Sequence, residues 1–558
     1  MKFARLTALS LAASSLPYAA LAQNAPDEAD DGKGNIVVTA TRQPLPASRV
    51  PVSVVVLDES SLEATQGFVG AEDLAELLPG VEAAVANGTQ VAFQIRGIGA
   101  VDHQALTPTA AAVYSDGVYL ATNVQTGALL YDLERVEVLK GPQGTLYGRN
   151  ASAGAINLIS RRPGSESGSY IRLGYGNFDR FEVDAGIGGQ VAEGIHARIA
   201  ATYLSRSPVF ENIVGPAEAG GETEEFGVRL STLLERGGAN LLLRGHYEQD
   251  SGINPMPRNS ALSLDRHQIE SAGDGVQDTD NSFYGVAAEY TMPFGDWDLF
   301  SLTAFEGYSQ NYGFDFDGTA APFGLASLNA NLSYARDFAQ FSEELRVSRQ
   351  FEGGSILIGA AASLEDFSQR YTIWCGTLDP ETLVGSCNYV GAPGRVGSDP
   401  ASSAPVSTLI TDIEQERVSL AAFTYNELEL SDRVQLTGGV RLTYERIEGE
   451  GQGVHVFRDG VVDFNNRDDA GPARGSNRVE TTRLTGNASL SYALENANIY
   501  LSVSNGYKSG GFNGEVANNA LHYADEGLFG AETVYTLEGG VKGKAWGSLT
   551  YALAAFFN

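Results

Sequence analysis

A period of two runs through the sequence from about residue 168 onward and constrains the fold more than any other feature. In residues 195–204, Ile195 and Ile199 alternate with His196 and Arg198. The same alternation returns in residues 226–230, 434–445 and 499–503. Successive side chains of a β-strand point to opposite faces. Each segment therefore predicts a strand with one apolar and one polar face.

The connections between these segments alternate in length. Tight turns are predicted near residues 237–238, 294–295, 353–354, 431–432, 495–496 and 545–547. Long polar segments occupy residues 206–224, 250–280, 310–335, 370–412, 449–478 and 507–530. Short turns on one rim and long loops on the other are typical of an outer-membrane barrel. We count roughly 15 strands of about ten residues, the length that a tilted membrane-spanning strand needs.

The N-terminus carries the signature of export. Residues 1–22 combine Lys2 and Arg5, an apolar run and an Ala20-Leu21-Ala22 cleavage site, which predicts a signal peptide. Residues 23–34 form an acidic, flexible leader. In an exported chain, Cys375 and Cys387 are predicted to form a loop disulfide. The net charge of −32 over 558 residues argues against a nucleic-acid partner.

Residues 43–163 are predicted to form a compact mixed α/β domain. The barrel follows this domain and is assigned to residues 164–558. Strands are expected at residues 52–57, 93–99, 112–114, 118–120, 136–139 and 155–159, and helices at residues 71–78 and 126–131. Residues 140–144 superficially resemble a phosphate loop, but no Gly-Lys-Ser/Thr follows. We interpret Gly144, Gly148 and Gly154 as turns packed closely against a wall. The charges of Arg96, Glu134, Arg135 and Arg149 are expected to form ion pairs that hold this domain together.

A β-prone run without an adjacent partner precedes this domain: Ile36, Val37, Val38, Thr39, Ala40, Thr41 and Arg42. It is either the first strand of the domain or a free strand that adds to the sheet edge of another protein. Its position behind a flexible leader favours the free strand.

Several motifs together resemble the TonB-dependent outer-membrane receptors. Residues 35–42 resemble the TonB box, residues 504–512 and 537–542 resemble late-barrel motifs, and the plug motifs lie in residues 94–98, 113–119, 134–142, 146–148 and 154–157. The plug residues that carry the resemblance are Arg96, Gly97, Asp116, Gly117, Glu134, Arg135, Gly141, Pro142, Gly144, Tyr147 and Gly148.

The resemblance implies an all-β transmembrane barrel of about 22 antiparallel strands when complete, with an N-terminal mixed α/β plug in its lumen. Because the sequence stops at Asn558 in mid-strand, we expect a C-terminally incomplete barrel. The resemblance also implies the outer membrane of a Gram-negative bacterium and its lipid as the location. The implied partner is the TonB complex of the inner membrane, which would pull on the box from the periplasm.

The leading functional hypothesis is energy-coupled import of a ferric siderophore, with no intrinsic cofactor or resident metal. The same machine could instead carry a corrinoid, an oligosaccharide or an aromatic compound. A passive porin and a signalling receptor are alternatives of other classes, the latter disfavoured because only residues 23–34 precede the box. An enzyme is not expected, since no Gly-x-Ser-x-Gly or His-Glu-x-x-His motif occurs. Candidate ligand contacts are His103, Tyr312, Phe314, Tyr371 and Trp374, although for each of them packing in a loop or at the rim is the favoured interpretation.

Overall fold

The structure is a computed structural model. It describes residues 37–39, 42, 45–63, 70–86, 90–99, 104–127, 129–164, 168–213, 220–254, 265, 267–269, 278–315, 330–375, 406–457, 462–463, 474–512, 528–545 and 549–558. Five residues that the sequence singles out lie outside this part of the chain: Ile36, Ala40, Thr41, His103 and Cys387. The predicted disulfide therefore stays a prediction. Nowhere in the described ranges is a helix long and apolar enough to cross a membrane.

The first part of the described chain forms a small domain around a five-stranded mixed sheet. The strand order is β3-β8-β9-β6-β7, with β6 parallel to β9, and β1–β2 and β4–β5 form separate antiparallel pairs. The elements are β1 (Val37–Val38), β2 (Leu45–Pro46), β3 (Ser53–Asp58), α1 (Glu59–Glu63), α2 (Ala71–Glu76), β4 (Val81–Ala86), β5 (Gln90–Ile95), β6 (Ala111–Ser115), β7 (Val118–Leu120), a 3-10 helix (Gln125–Gly127), β8 (Leu133–Lys140) and β9 (Gly154–Ser160).

The strands β8 and β9 are the centre of this sheet, as their apolar side chains require. Val136, Val138 and Ile156 are fully buried in a core that includes Leu74 of α2 and Ile95 of β5. Leu139, on the opposite face of β8, belongs to a second apolar cluster, which extends into the large sheet. Both faces of the small sheet are thus covered, one by its own helix and one by the rest of the molecule.

In the described part of the chain, fifteen antiparallel strands form the main path of the large sheet, here called the wall, and each pairs with the next, while the short β23 pairs with β22 off this path. They are β10 (Ser169–Tyr175), β11 (Phe181–Ala192), β12 (Ile195–Arg206), β14 (Thr223–Arg236), β15 (Ala239–Ile253), β17 (Asp278–Phe294), β18 (Trp297–Asp315), β19 (Ala330–Phe351), β20 (Gly354–Cys375), β21 (Val406–Ser431), β22 (Val434–Phe457), β24 (Arg474–Ala493), β25 (Ala497–Lys508), β28 (Glu532–Ala545) and β29 (Leu549–Phe557). Short strands flank the wall: β13 (Glu211–Asn212), β16 (Gln268–Ile269), β23 (Val462–Asp463), β26 (Gly511–Phe512) and β27 (Leu528–Phe529).

The two faces of the wall confirm the predicted alternation. Cross-strand pairs align Ile187, Ile199 and Leu230 in one outward row, and these side chains are 62%, 46% and 55% exposed. The intervening His196 and Arg198 are buried. Arg198 contacts Asp132 of the small domain at 2.5 Å. The polar face is therefore turned inward onto the small domain, and the apolar face is turned outward.

Two local expectations were wrong. The helix predicted over residues 126–131 is reduced to the 3-10 turn, because Leu129 donates its backbone N–H to the carboxylate of Glu248 in β15 instead of to a preceding carbonyl. The strand predicted over residues 93–99 ends at Ile95, because Arg96 and Gly97 take positive φ angles of 56° and 72°. Tertiary contacts and turn geometry thus override the local pattern.

The wall strands are also longer than the ten residues expected. They range from 7 residues in β10 to 26 in β21. At about 3.3 Å per residue, β21 spans roughly 85 Å, nearly three times a hydrocarbon core of about 30 Å. The longest strands, β19 to β22, therefore continue as a paired sheet well beyond any membrane crossing.

Candidate functional site

The described residues of the β-prone run, 37–39 and 42, are bound to the rest of the molecule. Val37 and Val38 pair with Pro46 and Leu45 in a short antiparallel ladder. The backbone N–H of Thr39 donates to both carboxylate oxygens of Glu137, at 2.9 Å and 3.1 Å. The sequence favoured a free strand, but in this structure the strand edge finds a partner only a few residues along its own chain.

Arg42 clamps the end of this run between the small domain and the wall. Its guanidinium lies 5.0 Å and 4.8 Å from the ring centres of Tyr114 and Tyr147. It also lies 3.5 Å from Glu344 of β19, and Arg346 donates to its backbone carbonyl at 3.2 Å. Burial raises the pKa of Tyr147 to about 12, so this phenol stays neutral beside the cation.

A cavity of about 1360 Å³ opens beside this clamp. Its lining includes Arg42 and Leu45 together with Gly238, Gly353 and Asp432, which lie in short turns of the wall. Arg42, the end of the β-prone run, therefore lies at the short-turn rim. In outer-membrane barrels the short turns face the periplasm.

Two charged residues of β28 hold the segment that follows the run. Lys542 Nζ donates to the carbonyls of Ala47, Val50 and Val52 at 3.0, 2.8 and 2.6 Å. Glu538 accepts the backbone N–H of Ser53 at 2.9 Å and pairs with Arg96 at 2.6 Å. The sequence analysis missed this clamp. The available signal was the spacing of Glu538 and Lys542, which places both side chains on one face of a strand.

Arg149 forms a second buried connection to the wall. It contacts Glu365 of β20, and its Nη1 lies 3.5 Å from Glu445 of β22. Tyr507 and Ser509 also donate to Glu445, at 2.9 Å and 2.8 Å. Burial by itself lowers the pKa of Arg149, but Glu365, with a further contribution from Glu445, raises it overall and keeps the guanidinium charged.

The four charges predicted to hold the small domain together therefore divide into two pairs. Arg135 contacts Glu134 and donates to Glu137 at 2.8 Å, all within the domain. Arg96 and Arg149 instead bind carboxylates of the wall. The expectation was correct for Glu134 and Arg135 and wrong for the other two.

The glycines of residues 141–148 pack closely, as predicted. Gly141 has a φ of 93° and leads into the buried Pro142. A Cβ at Gly144 would lie 2.8 Å from the carbonyl oxygen of Asn505. A Cβ at Gly148, where φ is 78°, would lie 2.9 Å from the guanidinium of Arg441. A larger side chain at Gly144 would push the small domain off the wall, because it meets backbone, whereas one at Gly148 would displace the Arg441 guanidinium.

Asp116 and Gly117 form the turn between β6 and β7, with φ angles of 48° and 86°. The carboxylate of Asp116 accepts the backbone N–H of Ser160 at 3.0 Å and lies 3.8 Å from Arg244 of β15. Burial raises the pKa of Asp116, but Arg244, Arg229 and Ser160 outweigh burial and hold the pKa below its usual value. The turn is therefore an anionic contact with the wall.

The structure separates the candidate ligand residues. Tyr312, Tyr334 and Tyr371 are directly opposite one another on β18, β19 and β20, and we call them the tyrosine cluster. Tyr334 and Tyr371 have ring centres 5.0 Å apart. Trp374 is buried, but its odd spacing from Tyr371 puts it on the other face of β20. Phe314 pairs with Leu332 in the backbone register.

A buried cation adjoins the tyrosine cluster. The guanidinium of Arg336 lies 3.9 Å from the ring centre of Tyr334. It donates to the amide oxygens of Gln369 at 2.7 Å and Gln310 at 2.9 Å. Arg336 was missed by the sequence analysis, although its position on a strand two residues after an aromatic residue was visible. Aromatic faces and a guanidinium together can bind an anionic or aromatic ligand.

Two family models match the chain. The TonB-dependent receptor plug domain matches residues 46–155, and the TonB-dependent receptor-like β-barrel matches residues 227–558, which is more than half of the sequence. The chain belongs to the TonB-dependent receptors. The small domain is its plug, the wall is its barrel, and it is a protein of the Gram-negative outer membrane rather than an enzyme.

Known relatives of this receptor include siderophore receptors. The pesticin receptor of Yersinia pestis is 33% identical over 200 residues, which are 35% of this chain and 28% of that protein. The catecholate siderophore receptor Fiu of Escherichia coli K12 is 28% identical over 260 residues, covering 44% of this chain and 31% of that one. The vitamin B12 transporter BtuB of Vibrio vulnificus is 33% identical over 148 residues, covering 25% and 23%. The matched part thus spans less than a third of each relative.

Solved structures agree on the fold of this receptor. The ferric yersiniabactin uptake receptor FyuA of Yersinia pestis superposes with a TM-score of 0.73 at 17% identity, covering 91% of this chain and 72% of that one. The closed form of the ferric-catecholate import receptor Fiu of E. coli K12 gives 0.65 at 16% identity, covering 92% and 74%.

Proposed function

We propose that this receptor is an active transporter that imports a ferric siderophore across the outer membrane, driven by TonB acting on residues 36–42. The observation that carries the proposal is the attachment of this run. Thr39 is bonded to Glu137 of the central plug strand β8, and Arg42 lies between two plug tyrosines. A pull from the periplasm would therefore be transmitted directly into the plug sheet.

A mechanical handle is what an outer-membrane transporter needs. The plug occupies the space inside the barrel, and its contacts reach wall strands from β12 to β28. The buried pairs Arg96–Glu538 and Arg149–Glu445 would have to be weakened before cargo could pass. This supports a gated transporter over a passive porin, which would require an open lumen.

The cargo proposal rests on the relatives and on the lumen chemistry. Two relatives are named as a siderophore or pesticin receptor, and the lumen face carries the tyrosine cluster beside Arg336. Ferric siderophores of the catecholate type are anionic and aromatic, so these side chains, most of which are buried in this structure, would suit them once they are uncovered. The likeness to the vitamin B12 transporter of V. vulnificus supports a corrinoid as the second candidate cargo.

Uptake by cells with and without the receptor tests both parts of the proposal. The panel contains radiolabelled ferric catecholate, ferric hydroxamate and ferric yersiniabactin, with cyanocobalamin as the alternative cargo. We expect accumulation of a ferric chelate that depends on the receptor and stops when a protonophore collapses the proton gradient. Accumulation of cyanocobalamin alone would reassign the cargo, and uptake that survives the protonophore would contradict active transport.

A double variant tests the handle. Ile36→Pro with Val38→Pro removes backbone donors that a paired strand needs. We expect uptake to be lost while chelate binding to de-energised cells is retained. Val38→Ala is the matched control because it keeps the N–H. Undiminished uptake by the proline variant would exclude residues 36–42 as the TonB handle.

A further inference from the structure

The plug is attached to the barrel by two different kinds of contact on two sides. On the side of β24 and β25, which we call the anchor, the contacts involve backbone. Asn150 donates its backbone N–H to the carbonyl of Tyr507 at 2.9 Å, and Thr485 donates to the carbonyl of Gly144 at 2.8 Å. The backbones of the plug and the barrel approach so closely that a Cβ at Gly506 would lie 2.7 Å from the carbonyl oxygen of Ala151.

On the side of β14, β15, β17 and β18, the plug and the barrel enclose a cavity of about 70 Å³, which we call the seam. The volume accommodates a small number of water molecules. Charged side chains line it from both partners: Asp116 from the plug and Arg229, Arg244, His246, Glu248 and Glu306 from the barrel. None of these residues has a role in the transport cycle described above.

The bonds across the seam run through long side chains. Arg244 donates to the carbonyl of Asp116 at 3.2 Å, and Arg229 donates to that of Tyr131 at 3.1 Å. Glu248 accepts the backbone N–H of Leu129 at 3.0 Å. These barrel side chains can swing away and regain hydration when the two surfaces separate. Charges that become hydrated recover much of the free energy lost on burial.

The anchor offers no such compensation. Its backbone groups would lose their partners, and Leu146 would be exposed together with Leu357 of β20 and Phe423 of β21, which extend the apolar contact beyond β24 and β25. A smaller cavity of about 40 Å³ lies beside Leu146, but its lining among the described residues contains no charged side chain. Exposure of apolar surface costs free energy in proportion to its area. A force on the plug should therefore open the seam before the anchor.

Part of the force would arrive on the seam side, and part at β8 through the Thr39–Glu137 bond. Arg42 contacts Tyr114 of β6, and the β6–β7 turn at Asp116 lines the seam. In the described sheet order, β7 is an edge strand that pairs with β6 alone, whereas β6 also pairs with β9. Val118 of β7 packs on Leu302 and Ala304 of β18. The β7 edge is therefore the part of the sheet that can move with the fewest broken backbone pairs.

We propose that the cargo passes along the seam, between plug strands β6–β7 and barrel strands β14–β18, while the plug stays attached at the anchor. This inference rests on the proposed transport function and specifies the route. The lining combines charges of both signs with apolar side chains such as Val118, Leu120 and Phe283, so the route suits a chelate that has both polar and aromatic parts.

Cysteine accessibility during uptake tests the route. In a Cys375→Ser, Cys387→Ser background, Val118→Cys reports on the seam and Leu146→Cys on the anchor. The two side chains are a matched pair, since they are 4% and 5% exposed in apolar plug clusters. Energised cells are labelled with a polar maleimide in the presence of a ferric tris-catecholate or of cyanocobalamin, whichever the uptake panel shows to be carried. Leu120→Cys, which also lines the seam, replaces Val118→Cys if that variant does not reach the membrane.

We expect labelling at Val118→Cys to rise at least tenfold with cargo and proton gradient, and labelling at Leu146→Cys to stay unchanged. Equal or faster labelling at Leu146→Cys would overturn the route. Continued uptake during which neither cysteine becomes labelled would overturn it as well. Absence of uptake by the parent receptor is a different outcome, because it removes the proposed transport function itself and the route falls with it.

Paired cysteines give an independent test. Val118→Cys with Ala304→Cys would lock the seam, because the two side chains share one apolar cluster across it. Once the disulfide is verified by gel shift, we expect the seam lock to abolish uptake until a reductant is added. Each single-cysteine variant is the control and should retain uptake within about twofold of the parent. Undiminished uptake with the disulfide intact would contradict the proposal.

Discussion

Glu538 of barrel strand β28 binds Arg96 of the plug through an ion pair of 2.6 Å, and both side chains are almost fully buried. Arg96 occupies the left-handed turn that ends β5, with a φ of 56°. Glu538 also accepts the backbone N–H of Ser53 at 2.9 Å. One carboxylate therefore joins the plug core and the start of the plug to the barrel.

Removing one partner of this pair should be costly. We expect Arg96→Leu to lower the free energy of plug unfolding by about 3–5 kcal/mol, because it leaves Glu538 buried without its cation. Denaturant unfolding of the purified receptor measures the effect. Arg349→Leu is the control, since Arg349 and Asp296 are 42% and 73% exposed and such pairs contribute about 0–1 kcal/mol. Equal effects of the two substitutions would show that the buried pair contributes little.

Detachment of residues 36–42 from the plug should depend on Arg42. Each contact between its guanidinium and a tyrosine ring contributes about 0.5–2 kcal/mol, so Arg42→Ala should make residues 36–42 easier to detach. We expect the periplasmic domain of TonB to bind the cargo-free variant about five- to tenfold more tightly, because more receptor is in the competent state. Titration calorimetry measures the affinity. Arg49→Ala, an exposed arginine of the next segment, should leave it unchanged.

Gly148 should tolerate no side chain. Its φ of 78° strains any L-residue by about 1–2 kcal/mol, and an added Cβ would meet the Arg441 guanidinium at 2.9 Å. Gly148→Ala is therefore expected to loosen the plug, seen as faster proteolysis of the plug in otherwise intact receptor. Gly164→Ala is the matched control because nothing lies within 4 Å of its Cβ position. Similar proteolysis rates in the two variants would contradict the close packing of Gly148 against Arg441 of the barrel.

The faces of β20 predict which aromatic residue touches cargo. Tyr371 belongs to the tyrosine cluster on the inner face, whereas Trp374 lies on the other face. We expect Tyr371→Ala to weaken chelate binding by about tenfold, within the 1–3 kcal/mol typical of a stacked aromatic contact. Trp374→Phe should leave the affinity unchanged. Fluorescence quenching by the bound chelate measures both, and the opposite order would exclude the tyrosine cluster as the binding surface.

Asp116 should make plug stability depend on pH in the acid range. Its folded pKa lies below the usual carboxyl value, so its stabilising contribution is complete above about pH 4 and is lost as the pH falls through the folded value. We expect Asp116→Asn to destabilise the plug at neutral pH and its difference from the parent to shrink as the pH falls below about 4. Unfolding free energies measured across that interval give the comparison. A difference in unfolding free energy that does not shrink as the pH falls would contradict the stabilising role of the ionised Asp116.

Most of the wall could be predicted because a period of two is a local property. The alternation of Ile195 and Ile199 with His196 and Arg198 survives in the structure as outward and inward faces. The short turn at Gly237 and Gly238 is also where it was expected. In both cases the geometry is set by neighbouring residues, by strand pleat in one and by glycine conformation in the other.

Local patterns failed wherever a distant residue competes. The helix predicted over residues 126–131 is lost because Glu248 takes the N–H of Leu129 across the interface. Arg149 was expected to stabilise its own domain, yet its partners Glu365 and Glu445 lie 216 and 296 residues away along the chain. No spacing rule in the sequence indicates such a pairing.

The sequence by itself therefore determined the strands, their two faces, the small domain and the β-prone run at residues 36–42. The tertiary structure decided which charges meet: Arg42 with Tyr114 and Tyr147, Arg96 with Glu538, and Asp116 with Arg244. It also decided that the plug is anchored on one side and separated by a charged cavity on the other. The physical reason is that side-chain periodicity is set by the local backbone, whereas the partner of a buried charge is set only when the wall curves around the plug.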